Sequence, residues 1–259
     1  MNLAKRIYER IKRYLISRLS LDMLKSRLSQ RRGLVILCYH TVAQELADYP
    51  FRTDIKALQR HFLLLQETFD ILPLDEAVRL LEAGEISSHS KPVVAVTFDD
   101  GFKDNLTHVT PLLETFKIPA TLFVAKSHID TDGITYLNTK ELVQLAQHPL
   151  WSVGAHAVSH NSLYSFLPSD LEKELVDCKQ WLKDLLGKAP EIFAYPQGKF
   201  SRRVIEAVRP HFSHAFGTGK RIGSSYDTHQ ILRVCPSVAE DDLRAFARML
   251  LSTPWEGQR

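Results

Sequence analysis

The sequence has few cysteines and no long apolar segment, and each absence excludes a class of protein. Its three cysteines, Cys38, Cys178 and Cys235, are widely spaced and form no Cys-x-x-Cys pair. Neither a disulfide framework nor a thiolate zinc site is therefore expected. No continuous apolar run reaches the length of a signal-peptide core or a membrane-spanning helix. We accordingly expect neither a cleaved signal nor a transmembrane segment.

The sequence also lacks internal repeats, low-complexity tracts and any linker long enough to divide residues 33–259. A chain of 259 residues with 44% hydrophobic content is long enough to bury a full core. We therefore expect one domain of catalytic size over residues 33–259, preceded by an extension over residues 1–32.

The extension over residues 1–32 carries most of the positive charge. It has ten Lys and Arg residues against two acidic ones, a balance of +8 that leaves −5 for the remainder of the chain. Apolar residues recur in it every four positions, at Leu3, Ile7, Ile11, Leu15 and Leu19. This pattern predicts an amphipathic helix with a cationic face, which either contacts an anionic membrane surface or docks on its own domain. Nucleic-acid binding is disfavoured because the remainder is acidic. Since no signal peptide is expected, we expect a cytoplasmic protein, which is peripheral on the inner membrane surface if the extension contacts the membrane.

From residue 33 the sequence alternates short apolar runs with amphipathic segments, which is typical of βα units and a mostly parallel sheet. The predicted strands are residues 34–40, 93–99, 120–125, 151–156, 191–196, 213–218 and 231–235. The predicted helices are residues 54–69, 74–83, 104–117, 139–147, 168–187, 201–209 and 240–251. A single barrel-like α/β domain is the simplest architecture that joins these elements.

Polar residues follow several of the predicted strands. Asp99 and Asp100 end one strand, His156 ends another ahead of His160, and His40 ends the first. Because the carboxyl ends of parallel strands share one rim, these side chains are expected to lie together.

The histidines and carboxylates have the composition of a catalytic metal site. His156 and His160 have ligand spacing if the chain turns helically after its strand, although such a pair alone is weak evidence. Adding Asp100 gives two imidazoles and one carboxylate, which leave open positions on a divalent metal. Where the strand breaks at Gly101, Asp99 and Asp100 can both face the rim, one to bind metal and one to take a proton from water. A glycosidase pair is disfavoured, since its carboxyl groups lie about 5 Å or more apart on opposite sides of a sugar.

Three motifs resemble those of the polysaccharide deacetylase family, also called the NodB homology domain or carbohydrate esterase family 4. They are TFDDG at residues 97–101, HAVSH at 156–160 and FAYPQG at 193–198. Flanking segments such as LCYHTV at residues 37–42 resemble the subgroup of poly-N-acetylglucosamine deacetylases. The resemblance covers about residues 33–235. It implies a deformed (β/α)₇ barrel of the NodB type, a divalent metal, usually zinc, and hydrolysis of N-acetyl groups of amino sugars.

The resemblance also implies a role for individual residues. Asp99 resembles the general base, and Asp100, His156 and His160 resemble the metal ligands. The backbone amide of Gln197 matches the donor that stabilises the oxyanion in the family.

Two departures from the family pattern concern the base and the acid. Many relatives hold the base with an Arg two positions before the Pro, where this chain has Ala194. Many also take the general acid from a late Leu-x-x-His motif, which is missing after residue 200. In the subgroup with an early Tyr-His pair that His resembles the acid, so we expect His40 in this role. The alternative is a structural histidine of the core or rim.

The resemblance implies an N-acetylated glycan as substrate. Because no signal peptide is expected, a lipid-linked or nucleotide-linked precursor of a surface glycan is the alternative substrate. Candidate sugar contacts, each of which could instead simply pack in the core or rim, are Tyr39, Tyr136, Trp151 and Tyr195. Two other functions stay open: a metal-dependent hydrolase of O-acetyl esters or cyclic amides, and a carbohydrate-binding module with a decayed site. The sequence does not decide the metal, the preferred sugar or the oligomeric state.

Overall fold

The seven predicted strands are all present in the computed structural model of the chain, which describes residues 19–46, 48–131, 133–223 and 226–257. A further two-residue strand lies between the first two of them. In chain order the strands are β1 (Leu34–Tyr39), β2 (Asp70–Ile71), β3 (Val93–Asp99), β4 (Ala120–Val124), β5 (Trp151–Ala155), β6 (Ile192–Ala194), β7 (His214–Gly217) and β8 (Ile231–Leu232).

These strands form a parallel sheet that is nearly closed into a barrel. The order is β1-β3-β4-β5-β6-β7-β8, and β2 pairs with the first two residues of β3. Beyond β8, the Val234 N–H donates to the Ile36 carbonyl and the Cys38 N–H donates to the Val234 carbonyl, each at 2.8 Å. These two hydrogen bonds join the last strand to the first, which confirms the predicted deformed (β/α)₇ barrel.

The helices agree closely with the predicted ones, apart from two starts. They are α1 (Leu21–Ser29), α2 (Ile55–Thr68), α3 (Leu74–Glu82), α4 (Thr110–Phe116), α5 (Thr139–Ala146), α6 (Pro168–Leu186), α7 (Arg202–Val208) and α8 (Leu243–Ser252). The helix predicted from residue 104 begins as a π-helical turn over Asn105–Val109, before α4. The helix predicted from residue 240 begins at Leu243, because a separate turn capped by Ser237 precedes it and Asp242 caps α8.

Alternation along the strands separates two apolar layers. One set, which includes Ile36, Ala95 and Phe123, packs inside the barrel with residues of α3. The neighbouring residues along the same strands, Leu37 and Val96 among them, pack outward against the other helices. Successive strand residues face opposite sides, so the residues that share the inward register include Cys38, Asp99, His156 and Arg233. The pleat therefore directs a few polar side chains into an otherwise apolar interior.

The described part of the N-terminal extension packs on the domain. Leu24 and Leu28 of α1 are fully buried, and α1 contacts α8. Arg31 lies over the Trp255 ring, 4.0 Å from its centroid, and donates to the Leu250 carbonyl at 3.0 Å. Docking is therefore what the structure shows for residues 19–32.

The remainder of the predicted amphipathic helix, with Leu3, Ile7, Ile11 and Leu15, lies outside the described residues. The domain boundary after residue 32 stays a prediction. No helix in the described ranges combines the length and the apolar character needed to cross a bilayer.

Candidate active site

The two adjacent carboxylates lie at the end of the central strand β3. Asp99 is its last residue, and Asp100 has a φ of 76°, in the left-handed region that few side-chain-bearing residues adopt. This turn breaks the alternation of the strand, so both carboxylates reach the same end of the barrel. Both are buried, with exposed fractions of 3% and 2%. Both carboxylates therefore face the rim, as expected from the sequence. The left-handed backbone that allows this is at Asp100 as well as at Gly101.

The two histidines follow β5 on a loop that is not helical. Ala157 and His160 have φ values of 65° and 60°, so the two histidines come together without the helical turn that their spacing would require on its own. The loop is held instead by Glu174 of α6, whose carboxylate accepts from the Val158 and Ser159 N–H groups at 2.9 Å. Sequence reasoning missed Glu174, although a buried glutamate on an amphipathic helix is an unusual feature.

The structure brings Asp100, His156 and His160 to one point. The Asp100 Oδ1 atom lies 2.9 Å from His160 Nε2 and 3.5 Å from His156 Nε2. One ligand atom from each of the three residues lies within 4.8 Å of the other two. His156 turns Nε2 toward this point because its Nδ1 is 2.7 Å from the Ala194 carbonyl, to which it donates.

These three residues fit a divalent cation. Asp100 Oδ1 is buried and accepts no hydrogen bond of acceptable geometry, while Tyr49 Oη donates to its other oxygen at 3.2 Å. Burial acts to raise the pKa of Asp100, but the His156 and His160 rings outweigh it and hold that pKa well below its usual range. An ionised carboxylate with two imidazole nitrogens is a donor set that zinc and related metals accept.

Asp99 is paired with a residue that the sequence analysis missed. The Arg233 guanidinium donates from Nη1 to Oδ1 and from Nη2 to Oδ2, each at 2.7 Å, and Cys38 Sγ donates to Oδ2 at 3.3 Å. Arg233 is only 4% exposed and follows β8. Burial acts to raise the pKa of Asp99, but the charge of Arg233 and the neighbouring rings lower that pKa by more than burial raises it. The carboxylate is therefore ionised. Arg233 thus pairs with Asp99 in a chain that has Ala194 where many family members have an Arg.

A second group of potential ligands, Cys38, His40 and Asp99, is less suited to a cation. One ligand atom from each lies within 4.8 Å of the others. Both Asp99 oxygens, however, already accept from the guanidinium of Arg233, whose positive charge would repel a metal ion. The geometry therefore favours the Asp100 group as the candidate metal site.

His40 lies at the same rim of the barrel, next to Asp99. It follows β1 and stacks on Phe51, with ring centroids 5.1 Å apart and an interplanar angle of 19°. Its Nδ1 atom is buried and has no hydrogen-bond partner among the described residues. Burial lowers the pKa of His40 more than the charges of Asp100 and Asp99 raise it. The resting imidazole is therefore neutral near pH 7, and the acid role needs a proton that arrives during turnover.

Gln197 lies in a tight turn after β6. Its φ is 58°, and Gly198 follows with a φ of 66°. The Gly198 N–H donates to the Tyr195 carbonyl at 2.8 Å, whereas the Gln197 N–H has no acceptor among the described residues. A Cβ at Gly198 would lie 1.9 Å from Thr218 Oγ1, so only glycine fits there. Within the described residues the turn therefore leaves the Gln197 N–H unpaired, as an oxyanion donor requires.

A cavity of about 480 Å³ connects these groups, since Asp99, His156, His160, His40 and Gln197 all line it. Its size lies within the range of ~300–1,000 Å³ common for small-molecule sites. All the predicted site residues except Asp100 therefore line the same cavity. Asp100 contacts two of these residues, His156 and His160.

The prediction of sugar contacts is wrong for most of the aromatic residues named for it, because they are buried. Tyr39, Trp151 and Tyr195 are at most 6% exposed, because they pack in the outer layer of the core. Tyr136 is half-buried at the rim against Phe102 and His128. The exposed ring that lines the cavity is Phe51, from a loop without periodicity that could have indicated it.

Comparison with known proteins identifies this arrangement. The family model for polysaccharide deacetylase matches residues 86–211, which include the two carboxylates, both histidines and Gln197. Residues 86–211 therefore match the polysaccharide deacetylase family. His40 and Arg233 lie outside the matched range, so the family model says nothing about them.

Individual members of the polysaccharide deacetylase family are similar over most of this chain. YxkH of Bacillus subtilis (strain 168), a protein assigned to the polysaccharide deacetylases, is 24% identical over 219 residues, which are 82% of this chain and 75% of YxkH. The poly-beta-1,6-N-acetyl-D-glucosamine N-deacetylase of Staphylococcus epidermidis is 25% identical over 63% of this chain, which spans 57% of that relative. The structure of IcaB from Ammonifex degensii has a TM-score of 0.70 at 26% identity and covers 85% of this chain and 98% of that chain.

Proposed function

We propose that this polysaccharide deacetylase is a metal-dependent hydrolase that removes N-acetyl groups from amino sugars of a glycan or glycan precursor. The observation that carries the proposal is the convergence of Asp100, His156 and His160 beside an ionised Asp99 that Arg233 holds. The name of the Staphylococcus epidermidis relative, an N-deacetylase of poly-N-acetylglucosamine, supports the same chemistry.

We propose Zn²⁺ as the cation, held by Asp100, His156 and His160. Two imidazoles and one carboxylate are common ligands of catalytic zinc. When bound, such a cation supplies Lewis acidity that polarises the acetyl carbonyl and makes water easier to deprotonate.

The residues around this site then divide the remaining work. Asp99 takes a proton from the attacking water, because its carboxylate is ionised and faces the cavity. The Gln197 N–H donates to the oxygen that becomes negatively charged. When the C–N bond breaks, His40 delivers a proton to the sugar nitrogen. A ring nitrogen of His40 lies within 4.8 Å of an Asp99 oxygen, so the proton that Asp99 takes from water is near enough to pass to His40.

Acetate release tests the proposal directly. The full chain loaded with Zn²⁺ is expected to release acetate and free amine from β-1,6-linked N-acetylglucosamine oligosaccharides. Chelation should abolish the reaction because Asp100, His156 and His160 hold the metal, and added Zn²⁺ should restore it.

The alternative functions give different results in the same assay. Release of acetate from O-acetylated but not from N-acetylated sugars would indicate an esterase. Binding of the oligosaccharide by the Zn²⁺-loaded protein without any acetate would indicate a carbohydrate-binding module with a decayed site.

We also propose that residues 1–18 bring the chain to the anionic inner surface of the cytoplasmic membrane. The supporting observation is that Leu24 and Leu28 of α1 are buried on the domain, so residues 19–32 have their apolar face covered. Any membrane contact by an apolar stripe must then come from the residues before them.

Vesicle sedimentation tests the membrane proposal. The full chain is expected to sediment with phosphatidylglycerol vesicles at low salt, and a variant without residues 1–18 is expected to remain in solution. The deletion keeps Ser20, which accepts from the Met23 N–H and caps α1, so the domain should remain folded. Equal sedimentation of both proteins would contradict the proposal.

A further inference from the structure

The cavity beside Asp99 extends through a gap in the barrel wall. The last hydrogen bond between β7 and the chain after β8 is donated by the Arg233 N–H to the Gly217 carbonyl at 2.8 Å. The next residue, Val234, bonds to β1 instead. Thr218 and Gly219 line one side of the cavity beyond this point, and Val234 lines the other. The cavity therefore continues from the centre of the barrel toward the end of α8.

We name this extension the Met249 arm. It is lined by Val234, Cys235, Met249, Ser252, Thr253 and Pro254. No residue of this lining is charged or aromatic. The arm therefore offers neither a cation for a phosphate group nor a ring for stacking on a sugar.

The part of the cavity next to His40 has the chemistry that suits a sugar. Phe51 lines it, is 39% exposed and stacks on His40. An exposed aromatic face is a suitable surface for the apolar face of a sugar ring. Two parts of the cavity thus differ: an aromatic part at His40 and Phe51, and an arm at Met249 that has no charged and no aromatic side chain.

The roles of the reacting groups relate these two parts of the cavity to the two halves of an amide. The acyl carbon must lie near Asp99 and the Gln197 N–H, and the sugar nitrogen must face His40. The acyl chain then extends from the acyl carbon on the side away from the sugar nitrogen, and the Met249 arm is the uncharged part of the cavity available to it. An acetyl group has only three non-hydrogen atoms, so it occupies a small part of a cavity of about 480 Å³.

We propose that the Met249 arm receives the acyl chain of the substrate, and that the enzyme hydrolyses N-acyl groups longer than acetyl. The inference rests on the proposed N-deacetylase function and extends it to N-propionyl, N-butyryl and N-hexanoyl amino sugars. Water adds its oxygen to the acyl carbon, the C–N bond breaks, the nitrogen leaves as an amine with one proton from water, and the acyl group leaves as the carboxylic acid. No further reactant is needed.

A series of substrates tests this inference. The Zn²⁺-loaded full chain is assayed with β-1,6-linked glucosamine oligosaccharides that differ only in the N-acyl group, by release of carboxylic acid and free amine. We expect kcat/KM for the N-butyryl substrate to lie within about tenfold of that for N-acetyl or above it, because each methylene buried in the arm improves binding by roughly fourfold. Hydrolysis of the N-acetyl substrate with more than about a hundredfold loss on N-butyryl would overturn the inference alone. Hydrolysis of neither would overturn the proposed function as well.

Narrowing the arm supplies an independent measurement. Ser252 is exposed on the last turn of α8, so Ser252→Phe places a ring at the arm with little cost in folding. The ratio of N-butyryl to N-acetyl kcat/KM is expected to fall at least about tenfold. Ser26→Phe changes another exposed serine, on α1, and is the matched control that should leave the ratio unchanged. Met249→Trp is the second variant, and an unchanged ratio in both folded arm variants would overturn the inference.

Discussion

The Asp99→Asn variant is expected to lose at least about a thousandfold in kcat/KM for N-acetyl hydrolysis while it still binds one Zn²⁺. An amide cannot take the proton that the carboxylate accepts from water, and a positioned general base contributes about 10²–10⁴-fold. Asp99 is bonded to Arg233 and lies outside the Asp100, His156 and His160 group, so metal binding should survive. Acetate release gives the activity, and elemental analysis of the dialysed protein gives the zinc content.

Two further variants make the Asp99→Asn result specific. His156→Ala removes a ligand and should lose both zinc and activity, whereas Asp177→Asn makes the same chemical change on the exposed face of α6 and should lose neither. Because Asn leaves the Arg233 charge without its carboxylate, thermal unfolding must show that the variant is folded. Equal loss of zinc from Asp99→Asn and His156→Ala would contradict the separate roles of the two aspartates.

The strands and most helices could be predicted because their apolar periodicity reflects burial on one or both faces. β3 is an example: all seven of its residues are buried, so it appears as a continuous apolar run. β2 could not be predicted because a two-residue strand has no periodicity. It exists only because the start of β3 offers free backbone groups before β4 begins to pair.

The candidate metal ligands could be predicted, but not the way in which the backbone presents them. The sequence places His156 and His160 four positions apart and leaves open how the chain runs between them. The observed loop depends on left-handed backbone at Ala157 and His160, and on Glu174 from a helix further along the chain. Such support comes from tertiary contacts, which local propensity does not contain.

The sequence contains a signal for Arg233 as the partner of Asp99, although the sequence analysis did not use it. It lies 134 positions from Asp99 in a segment predicted as a strand, so no spacing rule connects the two residues. Yet a single cation at an inward position of a buried strand requires a carboxylate partner, because an unpaired charge in the interior is costly. Together with the missing Arg at Ala194, that reasoning could have identified the partner of the base.

The Arg233→Met variant is expected to lose about 3–5 kcal/mol in the free energy of unfolding, together with most of the activity. Methionine keeps the length of the side chain but leaves Asp99 buried without a counter-charge. Burial then raises the pKa of Asp99 without the opposing effect of the guanidinium, so a larger fraction of the carboxyl groups is protonated and cannot accept a proton from water. Urea unfolding measures the stability, and acetate release measures the activity. Arg233→Lys retains the charge without the two parallel hydrogen bonds, and an intermediate result is expected.

The double variant Asp99→Asn/Arg233→Met separates the pairing of these residues from catalysis. If the two side chains stabilise the fold mainly through each other, the double variant loses less stability than the sum of the single variants, by about 2–3 kcal/mol. Activity should not return, because the base is missing in both Asp99 variants. Additive losses of stability would mean that Arg233 acts through its other contacts, the hydrogen bond to Thr97 and the Phe123 ring, rather than through Asp99. Partial recovery of stability without recovery of activity therefore identifies Arg233 as the residue that holds the base in place.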